Sequence, residues 1–286
     1  LGGSGADTFT LFGATSVTTV DAGAGNDTLN ASAVTTSITL VGGTGSDTLF
    51  GGLADGSLDG GADSDEVRQT ASGNQTLSNS SLIVGAVTHT LNSIERATLT
   101  GSVGANAINA TNFSGNVTII GGDGNDTLTG GSGNDSIDGG NNDDTISGGL
   151  GNDVLIGGSG SDTLAETADG NMTLTATGLS GALGTDTYST FEKAILTGGA
   201  SGNVLTASGV SSTTFGVTLV GLGGNDTLTG GAGPDNLQGG DDNDVIVGGS
   251  GNDTVDGGNN DDSITGGLGA DSLIGGSGTD VLIETG

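Results

Sequence analysis

Cysteine and tryptophan are absent from this chain of 286 residues, proline occurs once, and the basic residues are limited to Arg68, Arg96 and Lys193. Without cysteine the fold draws nothing from disulfides, and neither a thiolate metal site nor a cysteine nucleophile can be built. Three basic residues against 34 acidic ones leave a net charge of −31, which excludes a nucleic-acid footprint and a polybasic membrane anchor. Aromatics make up 2% of the residues, so the rings that dominate ordinary cores are nearly missing. No apolar run approaches the roughly 18 residues of a membrane-spanning helix, so no transmembrane segment is expected.

Glycine is what the chain has in excess, with 62 copies. A glycine-rich acidic chain can be disordered, but mean hydropathy is −0.00 and the apolar residues recur at a fixed period. From Gly121 the chain reads GGDGNDTLT, GGSGNDSID, GGNNDDTIS, GGLGNDVLI and GGSGSDTLA, five nine-residue units without a gap. Seven more run from Gly221 to Ile283, others begin at Gly2, Ala22 and Gly42, and two worn copies begin at Gly51 and Gly60.

Each position of the unit has a physical reading. Glycines at positions one, two and four supply positive φ and let neighbouring chains approach. Asn142, Asp242 and Asn260 replace glycine at position four, where Asn and Asp tolerate the left-handed region best. Position eight is apolar between Thr, Ser or Val, which predicts a very short strand with one inward side chain. Position six is aspartate in nearly every copy.

Two units make one 18-residue coil, so position-six aspartates 18 apart stack along an edge. Asp126 stacks with Asp144, Asp135 with Asp153, and Asp144 with Asp162. Later pairs are Asp226–Asp244, Asp235–Asp253, Asp244–Asp262, Asp253–Asp271 and Asp262–Asp280. Asp7, Asp27 and Asp47 are 20 apart, which predicts wider coils, and Asp65 continues the series. Carboxylates roughly 5 Å apart repel by about 3 kcal/mol at an effective dielectric of 20, so a cation between the loops is expected. Ca²⁺ suits carboxylates and carbonyls, whereas Zn²⁺ would want His or Cys and Mg²⁺ a stricter octahedron. The series as a whole predicts roughly 8–12 calcium ions.

The GGxGxDxUx pattern resembles the repeats-in-toxin (RTX, haemolysin-type calcium-binding) family. The resemblance covers about half of the chain and implies an all-β fold, a calcium-stabilised parallel β-roll or β-helix solenoid. It implies calcium held by the position-six aspartates and main-chain carbonyls, and type I secretion of an unfolded chain that folds outside the cell.

Residues 69–120 and 166–220 lack clean motifs but resemble each other at an offset of 97, as in IERATLTG from Ile94 and FEKAILTG from Phe191. They are expected to be degenerate coils of one continuous solenoid, with repeat units 1–68, 69–165 and 166–286. Asn106, Asn203 and Asp186 fall at position six of degenerate loops, and His89 aligns with Asp186. His89 reads as structural, Tyr188 as core, and Arg96 and Lys193 as surface partners of the adjacent Glu95 and Glu192. Acid–base catalysis needs carboxylates in contrasting environments; here the environments repeat, and no catalytic triad or phosphate loop can be assembled.

The chain begins inside a repeat and is expected to be an excerpt of a longer protein. The expected function is a calcium-binding structural or interaction segment of a secreted bacterial cell-surface protein of S-layer, adhesin or filament type, with no enzymatic activity. Its lateral partners would be copies of itself or a surface polysaccharide. The alternative is the calcium-binding module of an exported enzyme or of a pore-forming toxin; fold alone does not decide.

Overall fold

The nonapeptide forms the strand expected of it. In the computed structural model, which describes residues 2–13 and 18–285, Thr127–Thr129, Thr145–Ser147 and Thr227–Thr229 are three-residue strands centred on position eight. Elsewhere the strand runs on through position three of the next unit, as in Ser136–Asn141 and Thr254–Asn259. Every regular element among the described residues is a strand. The chain divides into two compact units, Leu1–Asn141 with Gly148–Leu150, and Asn142–Ser147 with Gly151–Gly286.

Each unit is a parallel β-solenoid. In the first, Leu29 pairs with Leu49 and Leu49 with Val67 on one sheet, while Leu40 pairs with Leu58 on the other. In the second, Leu228 pairs with Ile246 and Ile246 with Ile264, while Leu237 pairs with Val255. Like therefore stacks on like, and the position-eight side chains Leu29, Leu49, Leu128, Leu228, Ile246 and Ile264 are all fully buried. Burial of such a side chain contributes roughly 1.5–3 kcal/mol per rung. Coil length follows the spacing of the aspartates: Thr8 pairs with Thr28 and Thr28 with Thr48, whereas Thr227 pairs with Val245.

The segments between the nonapeptide runs differ from the expected degenerate parallel coils. Gln75–Ser78, Ser81–Val84 and Val87–Asn92 form an antiparallel meander in the first unit. Met172–Thr175, Gly178–Gly181 and Gly184–Ser189 form its counterpart in the second. The outer strands of each meander still pair in parallel with neighbouring coils, Thr90 with Ser57 and Tyr188 with Leu155. Two-residue turns such as Asn79–Ser80 and Gly85–Ala86 cause the departure, because so short a link allows only an antiparallel return. Three of the seven aromatics gather beside the second meander. Tyr188 meets Phe191 edge-on at 5.9 Å and Phe215 at 6.4 Å, and its hydroxyl donates to the Thr175 carbonyl.

Candidate metal centre

Position six forms a ladder of carboxylates that lies inside the protein. Asp27, Asp47, Asp65, Asp126, Asp135, Asp144, Asp153, Asp162, Asp226, Asp235, Asp244, Asp253 and Asp262 are all at most 3% exposed. Asp7, Asp271 and Asp280 are half-buried. Each rung has one polarity: the position-six N–H of one coil donates to Oδ1 of the aspartate one coil later. Asp27 donates to Asp47 at 2.7 Å, Asp226 to Asp244 at 2.7 Å and Asp244 to Asp262 at 2.8 Å. Asp144 donates to Asp162 and Asp235 to Asp253 in the same way.

The second carboxylate oxygen accepts a glycine N–H at Asp7, Asp135 and Asp235, from Gly3, Gly131 and Gly231, but at many rungs it is left without a donor. Oδ2 of Asp27, Asp47, Asp65, Asp162, Asp226, Asp244, Asp253, Asp262 and Asp271 is buried and receives no hydrogen bond. A main-chain carbonyl oxygen faces it across the position-one glycine. A Cβ built on Gly248 would lie 2.6 Å from Asp253 Oδ2 and 2.5 Å from the carbonyl oxygen of Gly266, one coil on. The same pair of oxygens flanks Gly42, Gly130, Gly239 and Gly257. Of the three positions where positive φ is expected, two and four carry it, as in Gly140, Gly249, Gly124 and Gly251, whereas the position-one glycines Gly121, Gly130, Gly239, Gly248 and Gly257 do not. Position one is glycine because two oxygens converge where a side chain would stand. Asn142, Asp242 and Asn260 do carry positive φ, between 76 and 78°.

Position five, to which the sequence reading attached no role, forms a second ladder of opposite polarity. Asn225 Oδ1 accepts the N–H of Asn243, Asn243 Oδ1 that of Asp261, and Asp261 Oδ1 that of Thr279. The Asn–Asp dipeptide of the unit thus ties each loop both upward and downward.

The stacked carboxylates raise one another's pKa, as mutual repulsion requires, but a larger cause is at work. Burial is the first cause of the raised carboxyl pKa values, and neighbouring carboxylates add to it. Asp244 is pushed up to about 7 by burial and then by Asp226, Asp262 and Asp242. Burial also takes Asp65, Asp135 and Asp253 to about 6. A solvated acidic face would show none of this. Asp186, in its degenerate loop, joins the ladder by accepting the N–H of Asp153 at 2.9 Å. Asn106 and Asn203 donate their N–H groups to Asp126 and Asp226. His89 is buried, with Nε2 2.7 Å from a Cβ built on Gly51, the place held elsewhere by aspartate Oδ2. Burial holds its imidazole below 6.5, in the neutral form.

Glu95 and Glu192 stand where the sequence reading did not place them. Rather than pairing with Arg96 and Lys193, they accept the N–H groups of Asp65 at 2.9 Å and Asp162 at 2.8 Å. Arg96 donates to the Ser64 carbonyl, and the ion pair among the described residues is Arg68–Glu66 at 3.0 Å. The only signal was their equivalent placement, 30 residues after an edge aspartate in both cases.

Among the described residues, no three His, Asp or Glu side chains close on one point. The oxygens arrive instead as one carboxylate and one carbonyl per rung, repeated along the edge. That donor set, all oxygen and partly anionic, suits a hard cation such as Ca²⁺, and the bare buried oxygens need a positive partner. Among the described residues no helix is long and apolar enough to cross a membrane.

The comparisons agree with this geometry. A family model described as RTX calcium-binding nonapeptide repeat (4 copies) matches residues 12–33, 39–67, 114–137, 129–164, 220–255 and 256–283, together more than half of the chain. No curated protein matches it.

Proposed function

The chain belongs to the RTX calcium-binding nonapeptide repeat family, and from that premise we propose that it is a calcium-folded structural and interaction segment of a secreted bacterial surface protein of S-layer, adhesin or filament type. The position-six aspartates from Asp7 to Asp280 are its metal ligands in this reading. Asp65, Asp162, Asp226, Asp244, Asp253 and Asp262 carry it most directly, because each has a buried Oδ2 with no hydrogen-bond donor. Bound calcium supplies the positive charge that this row of oxygens lacks.

The residues of the chain do the rest. Oδ1 keeps successive coils in register through the backbone N–H, leaving Oδ2 and the position-one carbonyl for the cation. Folding and binding then become one event, which suits a chain that is exported unfolded and becomes rigid where calcium is plentiful. The surface assignment is supported by the repetition itself: the carboxylates stand in one recurring environment, the mark of a structural role. The lateral faces, rich in Thr, Ser and Val, would meet other copies or a surface polysaccharide.

Antibody labelling of intact cells of the source organism tests the surface role. Label on the cell exterior, released with the protein by a calcium chelator, is expected. Protein found in the cytosol alone would overturn it.

A further inference from the structure

Two short segments outside the matched repeats rebuild the same oxygen cradle from different residues. They are Ser93-Ile94-Glu95-Arg96-Ala97 and Thr190-Phe191-Glu192-Lys193-Ala194, which follow the two antiparallel meanders. At these places the coil that should supply the next position-six aspartate is displaced by the meander.

The segments are held in place by their own backbones. The N–H groups of Glu95 and Arg96 both donate to the Asp65 carbonyl, at 3.2 and 2.9 Å, and those of Glu192 and Lys193 to the Asp162 carbonyl, at 3.2 and 3.1 Å. Ile94 and Phe191 are buried as anchors. Ser93 and Thr190 are held at φ of 51° and 57°, a left-handed conformation uncommon outside glycine and costly for a β-branched residue such as Thr190. That conformation is matched by a function: the Ser93 carbonyl oxygen stands against the Cβ position of Gly60 opposite Asp65 Oδ2, and the Thr190 carbonyl oxygen against that of Gly157 opposite Asp162 Oδ2. In a regular rung, the next position-one glycine supplies this carbonyl.

The carboxylates complete the likeness. Asp65 and Asp162 are fully buried, and Oδ2 of each receives no hydrogen bond. Glu95 and Glu192 accept the aspartate N–H as Oδ1 of a following aspartate would. Arg96 is turned to the Ser64 carbonyl at 3.4 Å, so its charge is not spent on Glu95.

We propose that Ser93–Glu95 with Asp65, and Thr190–Glu192 with Asp162, are two further calcium sites, in which a left-handed Ser or Thr carbonyl and a glutamate stand in for the missing nonapeptide. They carry the metal column up to the meander and lock the meander onto the coil before it. This rests on the calcium reading of the nonapeptides, and the test separates the two.

Bound calcium is counted by equilibrium dialysis and atomic emission on the whole chain and on Glu95→Gln, Glu192→Gln and the double variant. Glutamine keeps an oxygen for the aspartate N–H and removes the charge. Each single variant is expected to lose one ion and the double variant two, with the β circular-dichroism spectrum in calcium retained. Wild-type counts in all three variants would overturn the proposal, while an unmodified chain that binds no calcium would overturn the nonapeptide reading beneath it. If the variants do not fold, terbium-soaked crystals of the unmodified protein decide. Anomalous peaks beside Glu95 and Glu192 are expected; peaks confined to the nonapeptide edges would overturn the proposal.

Discussion

Asp244 sits in the interior at 1% exposure, gives its N–H to Asp262, takes that of Asp226 on Oδ1, and leaves Oδ2 bare. Its charge is therefore a burden without a cation and an asset with one. Asp244→Asn keeps an oxygen for the rung and removes the charge. Without metal at pH 7.5 it should favour the folded state by about 1–3 kcal/mol, the cost of an unsatisfied buried group, while weakening calcium binding; the β signal left in chelator and a calcium titration read both signs. Asp244→Ala should cost more in calcium than Asn106→Ala, since Asp244 serves two rungs of carboxylates. Gly248→Ala would push a methyl between Asp253 Oδ2 and the Gly266 carbonyl. It should cost about 1–3 kcal/mol, as overpacking does, and lower calcium affinity, whereas Gly3→Ala, with open space around it, should be neutral in the same melts. The aspartates and the left-handed Asn residues were legible from position in the repeat. Burial was not, because a run of acidic loops reads equally as a solvated edge until the coils are stacked.

At the scale of the element, the coil is the unit that can be added or removed. Residues 239–256 make two nonapeptides, and their neighbours on either side carry the same ladders. Deleting these 18 residues should leave a calcium-folded chain with a melting temperature within a few degrees of the original, since each coil touches only its neighbours. Loss of cooperative melting after the 18-residue deletion would contradict this account of the coil. The nonapeptide strands were legible because their period is strict. The meanders were not: the matching offset of 97 made 69–120 and 166–220 look like worn coils, and it outweighed the short turns at Asn79–Ser80 and Ala182–Leu183. Glu95 and Glu192 were misread for the same reason, since the ladder reaches them only once the meander is taken out of the count.

For the molecule as a whole, the raised carboxyl pKa values couple folding to protons as well as to metal. Burial raises Asp244 from 3.8 to about 7 and Asp65 and Asp253 to about 6. Between 3.8 and about 7 the folded metal-free chain thus binds more protons than the unfolded one, and its stability falls as pH rises through that window. Lowering the pH from 7.5 towards 5 in chelator should strengthen the β signal, so that less calcium is needed to reach the folding midpoint, while calcium affinity of the already folded chain falls as protons compete for the carboxylates. A midpoint that does not move with pH would contradict the buried-carboxylate picture. The central claim is tested most directly by far-ultraviolet circular dichroism of the whole chain at pH 7.5 in excess EGTA, followed by calcium titration. The β spectrum is expected to be lost in chelator and to return cooperatively with calcium. An undiminished β spectrum and an unchanged melting temperature in EGTA would contradict it.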